Sequence, residues 1–179
     1  VFPLEWKTAD GDLFSGYRED GYLPEVVINM LALLGWNPGT DQEIFSLDEL
    51  IKAFDLKRVN KAGAKFDPDK TKWFQHHYLQ LVSNEKLANS FSKFLEAKNI
   101  STSLNVTKIV SLLKERATFV SDLWDLGDFF FIAPESYNEK ASKKAFKEDT
   151  PEILKNIVAL LNDTSVFSSE TISEKIKGW

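Results

Sequence analysis

The apolar positions of this chain recur mostly at helical spacing, and the densest of them open the pattern. In "GYLPEVVINMLALLGWNPG", residues 21 to 39, Val26, Val27, Met30, Leu31 and Leu34 fall on one helical face, while Ile28, Ala32 and Leu33 make the other side apolar too. Pro24 suits a first-turn position and Gly35 a stop, and Asn29 is the one uncharged polar residue between them. A helix apolar on nearly all sides is expected to be covered on nearly all sides, as an internal pillar. Ser46 with Glu49 three residues on forms a capping box ahead of Leu47, Leu50, Ile51 and Phe54. The stretch "DLKRVNKAGAKF" is too polar and small for a helix interior, so Arg58, Asn60, Lys61 and Gly63 are placed on a strand edge or an exposed loop. Asp67 then caps a helix with Pro68 at its first position, running through "KTKWFQHHYLQL". With a turn-rich lead-in that has room for a short hairpin, these elements make one unit over roughly residues 18 to 82.

The remainder reads as an all-helical bundle. Leu87, Phe91, Phe94 and Leu95 share one helical face, as do Val106, Ile109, Val110, Leu113 and Ala117. "SDLWDLGDFFFIAPESY" suggests a short capped helix and a tight hydrophobic loop, with Phe129 to Phe131 as packing residues. Further helices are expected from Asn138 to Lys147, from Pro151 to Leu161 and from Ser169 onward, the last with Ile172, Ile176 and Trp179 on one face and no stop signal after them. The expected class is mainly α: a small α+β domain followed by an all-helical bundle. Val at position 1 and the interrupted last helix suggest a piece of a longer protein.

Composition narrows the function classes. With 43% apolar and 13% aromatic residues, the 179-residue chain can bury a core. It has no cysteine, which removes disulfides, thiolate catalysis and cysteine-based zinc sites and suits the cytoplasm. No apolar run approaches the roughly 18 residues of a membrane span. The net charge of −5 is unevenly spread: residues 1–60 carry 5 basic and 11 acidic side chains, residues 61–120 carry 10 and 5, and residues 121–179 carry 7 and 11. The middle third is a basic island. Such an island is either a set of solvated helix faces, the reading favoured by charge alone, or a footprint for a polyanion.

Catalytic chemistry finds little support. His76 and His77 are adjacent, so they diverge by about 100° on a helix and do not readily grip one metal; an ordinary surface or core role is expected. Asp122, Asp125 and Asp128 follow Ser121 at a helix start, where the dipole favours acidic residues for structural reasons. Phosphate-cradling glycine motifs and a nucleophile elbow are absent. No catalytic residue and no metal site are assigned.

The string from "GYLPEVVINMLALLGWNPG" through "EIFSLDELIKAFDLKRVNKAGAKFDPDKTKWFQHHYL" closely resembles bacterial glutamyl-tRNA synthetases downstream of their KMSKS loop, over about residues 17 to 80. The match continues more weakly through the helical half. The resemblance implies a lead-in at 1–17, a stem-contact fold at 18–82, a first helical anticodon-binding domain at 83–137 and a truncated second one at 138–179, with the catalytic fold upstream. It implies ATP-dependent attachment of glutamate to tRNA(Glu) by a monomeric full-length parent, assisted by Mg²⁺, with no cofactor held by these residues.

By the same resemblance, tRNA-facing positions are Arg58, Asn60, Lys70, Trp73 and Arg116, the last where discriminating enzymes read the third anticodon base with an arginine. Each has a bland counterpart: Trp73 as core, Lys70 and Arg58 as solvated charges, Arg116 paired with Glu115 or Glu85. Two rival functions stay open: a helical protein-interaction adaptor, and a non-discriminating glutamyl or glutaminyl relative.

Overall fold

The computed structural model describes residues 4–61 and 65–178, so Gly63 and Trp179 lie outside the described residues. The chain divides into two compact units, Val1–Ala133 and Pro134–Trp179. The first contains a hairpin of β1 (Trp6–Lys7) and β2 (Leu13–Phe14), paired antiparallel with Trp6 opposite Phe14, then α1 (Pro24–Gly35), α2 (Leu47–Ala53), α3 (Pro68–Leu81), α4 (Asn84–Ala97), α5 (Val106–Leu113) and α6 (Asp122–Gly127). The second contains α7 (Glu139–Ala145), α8 (Thr150–Asn162) and α9 (Ser169–Lys177). The protein is mainly α with a small antiparallel pair, as the sequence pattern predicts. The paired strands fall in the lead-in, before residue 18. Within 18–82 the strand-like pairing among described residues is a single bridge, Trp36 to Val59, reinforced by the Asn60 N–H donating to the Gly35 carbonyl at 2.8 Å.

Local signals explain the helix starts. Ser46 and Glu49 close the predicted capping box, with the Ser46 backbone N–H donating to the Glu49 carboxylate at 2.7 Å. Asp67 accepts from the Asp69 and Lys70 N–H groups ahead of Pro68. Ser121 departs from expectation: its backbone is already αR and its side chain makes no cap bond. The Asp122 side chain reaches back instead and holds the preceding loop, accepting the Thr118 and Phe119 N–H groups at 2.8 and 2.9 Å.

The role expected of α1 as an enclosed pillar is not what the structure shows. Val26, Asn29 and Met30 are buried, but Leu31 is 57% exposed and Ile28 40% exposed. Among the described residues the main helix partners of α1 are α2 and α3, so its faces turned away from them stay exposed. Its polar exception is the centre of a buried network. Asn29 Nδ2 donates to the Glu43 carbonyl at 2.8 Å and its Oδ1 accepts the Phe45 N–H at 2.9 Å, while the Tyr78 hydroxyl donates to the Phe45 carbonyl at 2.6 Å. Burial raises the Tyr78 phenol above the ordinary tyrosine range, which keeps it a neutral donor.

The "GWNPG" turn is fixed by Asn37, whose side chain accepts the Gly39 N–H at 2.6 Å, and by Gly39 itself at φ +77°. A Cβ on Gly39 would stand 3.0 Å from Arg58 Nη1.

Helix α3 is shared by two cores. Phe74 and Tyr78 pack with Val26 and Met30, whereas Leu79 joins Leu87, Phe91, Leu95, Ile109, Val110, Leu113 and Leu123. That sharing is why residues on both sides of position 82 belong to one compact unit.

Candidate nucleic-acid interface

The predicted positions fall on three structural features: the 54–60 segment, the outer face of α3, and the turn after α5. Arg58 ends a 3-10 turn, Leu56–Arg58, that Asp55 caps through the Lys57 N–H at 2.9 Å. Its guanidinium donates to the Pro38 carbonyl and lies against Gly39, so it clamps the "NPG" turn. Asn60 follows it, exposed, with its backbone tied to Gly35.

Lys70, Trp73 and His77 share one face of α3, because their three- and four-residue spacing returns to the same side of a helix. Lys70 pairs with Glu43 and sits 5.8 Å from the Phe74 ring centroid. Both members of the pair are partly exposed, at 45% and 44%, so the pair holds Lys70 only weakly in place. Trp73 is not a core residue: it is 47% exposed and lies against His77, with ring centroids 5.8 Å apart and planes at 32°. An exposed, supported indole offers a flat face for a nucleobase.

Arg116 ends the 3-10 turn Lys114–Arg116 that prolongs α5, a tighter continuation than the α-helix predicted to reach Ala117. Its side chain is exposed and, among the described residues, it forms no ion pair with Glu115, Glu85 or any other carboxylate. The backbone around it is held firmly. Helix ends leave carbonyls without intrahelical partners, and here α3 supplies donors at the end of α5, including a second one for the Lys114 carbonyl, which already accepts the Ala117 N–H. Gln80 Nε2 donates to the Lys114 carbonyl at 2.9 Å, His76 Nδ1 lies 2.9 Å from the Ala117 carbonyl, and Gln75 Nε2 donates to the Thr118 carbonyl at 3.1 Å. Lys114 Nζ in turn donates to the Val82 carbonyl at 2.5 Å. The His76 contact with a carbonyl requires Nδ1 to carry the proton, which gives this histidine a structural task.

Sequence reasoning did not single out Gln75 or Gln80. The available signal was position: Gln75 lies between Phe74 and Tyr78 on the buried side of α3, and a polar side chain there requires partners. Among the described residues, no group of three or more His, Cys, Asp or Glu side chains converges as a metal site, and no helix is long and apolar enough to cross a membrane.

Residues 79–179 match the family model of the anticodon binding domain, and residues 10–73 match that of the catalytic domain of class I tRNA synthetases (E and Q). The second match places most of the segment read as lead-in and stem-contact fold inside a catalytic-domain model. The chain is 59% identical to a glutamate–tRNA ligase of Flavobacterium johnsoniae and 55% identical to one of Christiangramia forsetii, in each case over 100% of this chain and 36% of the relative. It superposes on a crystal structure of a glutamate tRNA ligase from Elizabethkingia meningosepticum, in complex with its amino acid, with a TM-score of 0.92 at 48% identity, covering 99% of this chain and 36% of that one. The chain thus spans about a third of the length of the curated relatives it matches.

Proposed function

Because the chain belongs to the anticodon-binding-domain family, we propose that it is the tRNA-binding part of a glutamate–tRNA ligase, and that Arg116 reads the anticodon of tRNA(Glu). The observation that carries this is the exposed guanidinium of Arg116, without an ion-pair partner among the described residues, on a turn whose flanking carbonyls are tied down by α3. A planar fork of donors suits the edge of a base better than a point charge does, and an anticodon is a loop whose bases are open to such reading. Lys70 and Trp73 fit the tRNA backbone and an unstacked base respectively. Asn60 offers an exposed polar side chain after the 3-10 turn, and Arg58 supports the region by clamping the turn between Trp36 and Gly39.

In this reading the full-length parent is a cytoplasmic, monomeric enzyme that uses ATP and Mg²⁺, and this chain alone forms no glutamyl-adenylate. The exposed Ile28 and Leu31 on α1 suit a face covered by the parent's upstream catalytic portion.

The test is charging by the full-length parent with tRNA(Glu) and with a transcript whose third anticodon base is changed from C to G. Arg116→Gln should erode the preference by about 1–3 kcal/mol, the usual worth of one base contact, and Lys70→Ala should weaken both substrates alike. Equal loss on both substrates from Arg116→Gln would make Arg116 a phosphate or structural residue. Binding of tRNA by this chain should fall steeply with salt, by about 0.7–0.9 log units per tenfold change in salt for each phosphate neutralised. A flat salt response would favour a protein-interaction adaptor.

A further inference from the structure

We propose that Gln75 is a positioning residue for base recognition by Arg116, joining the reading turn to the frame of α1 and α3; this rests on the role of Arg116 given above. Gln75 is completely buried and uses both ends of its amide. Its Oε1 accepts the Leu23 N–H at 2.9 Å, at the start of α1, a helix whose N-cap supplies no side-chain acceptor of its own. Its Nε2 donates to the Thr118 carbonyl at 3.1 Å. One side chain therefore links residue 23 to residue 118, elements 95 positions apart in sequence, through the middle of α3.

The backbone of the reading turn is held by side chains. The amide of Gln80 and the imidazole of His76 fix the carbonyls of Lys114 and Ala117, which bracket Arg116. Just beyond it the Asp122 carboxylate fixes the N–H groups of Thr118 and Phe119. Arg116 has no side-chain partner among the described residues, so only its backbone decides where its guanidinium can reach. A recognition group must be held within about 0.5 Å of its productive position by supporting contacts, and these bonds are that support. Gln75 and His76 fall between the two family matches, which end at residue 73 and begin at residue 79, on one uninterrupted helix. The bonds therefore run from the segment that matches a catalytic domain to the turn proposed to read the anticodon.

A purely structural Gln75 would raise stability and leave the choice between bases untouched. The experiment measures kcat/KM of the full-length parent for tRNA(Glu) and for the transcript with G at the third anticodon position, with Gln75→Met as the variant. Thermal melting of each variant confirms that it is folded at the assay temperature. The expected result is a discrimination ratio lowered about tenfold, within the range of one base contact. In an Arg116→Gln background, Gln75→Met should leave the ratio unchanged, because the group it positions is gone. Gln80→Met, which removes a bond to the Lys114 carbonyl and a longer one to that of Ala117 at a less buried position, should lower the ratio by about threefold and serves as the readout if Gln75→Met does not fold. If Arg116→Gln erodes the ratio while Gln75→Met and Gln80→Met lower both substrates equally, the positioning role is wrong and the reading of Arg116 stands. If Arg116→Gln leaves the ratio intact, that reading falls and the positioning role with it.

Discussion

In α4, Leu87, Ala88, Phe91 and Leu95 are all at most 4% exposed, whereas α8 carries an equally regular apolar set and buries none of it: Leu154 is 51% exposed and Val158 is 56% exposed. The same contrast holds for the two compact units. Residues 1–133 contain three clusters of buried side chains and a buried hydrogen-bond network, while none of α7, α8 and α9 has a buried residue. Phe146, Val166 and Phe167 are 49%, 62% and 71% exposed. Amphipathic spacing is common to both units, and α8 does meet α9; what differs is how far the stripe is covered. A helix stripe becomes a core only when a second surface removes it from water, and in the first unit α3 provides that surface twice over.

Mutations can break this contrast or sharpen it. Phe91→Ala, at a fully buried position, should destabilise the first unit by about 3–5 kcal/mol in chemical denaturation, since it removes a large side chain and leaves a cavity. Asn29→Ala should cost about 2–3 kcal/mol by the same measurement, because it removes the side-chain donor to the Glu43 carbonyl and leaves the Phe45 N–H only its longer bond to the Tyr78 hydroxyl. A cost well under 1 kcal/mol there would mean that water replaces the asparagine. Gly39→Ala should cost about 1–2 kcal/mol, from its left-handed backbone and the approach of Arg58.

A smaller effect is set by pH at the start of α2. The backbone N–H and hydroxyl of Ser46 hold the Glu49 carboxyl below its ordinary value. Its folded form binds fewer protons than its unfolded form, so this contribution is present above the ordinary carboxylate range and is lost as pH falls through the lowered folded value. Glu49→Gln should therefore flatten the acid limb of a stability-versus-pH curve without altering its alkaline side. Smallest of all, Phe167→Ala in the second unit should change the melting temperature or denaturation midpoint by no more than about 0.5 kcal/mol equivalent. A cost like that of Phe91→Ala would overturn the contrast between the units.

The helices were largely legible in the chain. Pro24 marks a helix start by its fixed φ, and the Ser46–Glu49 pair and Asp67–Pro68 do so through bonds within one turn, which do not depend on the rest of the fold. The basic third of the chain and the candidates Lys70, Trp73 and Arg116 were legible as residue types. Their surroundings were not. Nothing in the order of residues says that Arg58 turns back to the Pro38 carbonyl or that Trp73 rests on His77 rather than in the core. The enclosed α1 was the clearest error, because an apolar sequence states a demand for burial and not its supply.

Sequence alone determined the class of fold, the capping of its helices and which side chains are chemically suited to RNA, since propensity, periodicity and charge are properties of neighbours along the chain. Tertiary structure decided that Gln75 joins residue 23 to residue 118 and that α3 presents donors to the end of α5. Those pairings bring together groups dozens of positions apart, and their geometry exists only once the helices have packed; a buried amide in a sequence announces that it needs partners, but only the folded chain chooses them.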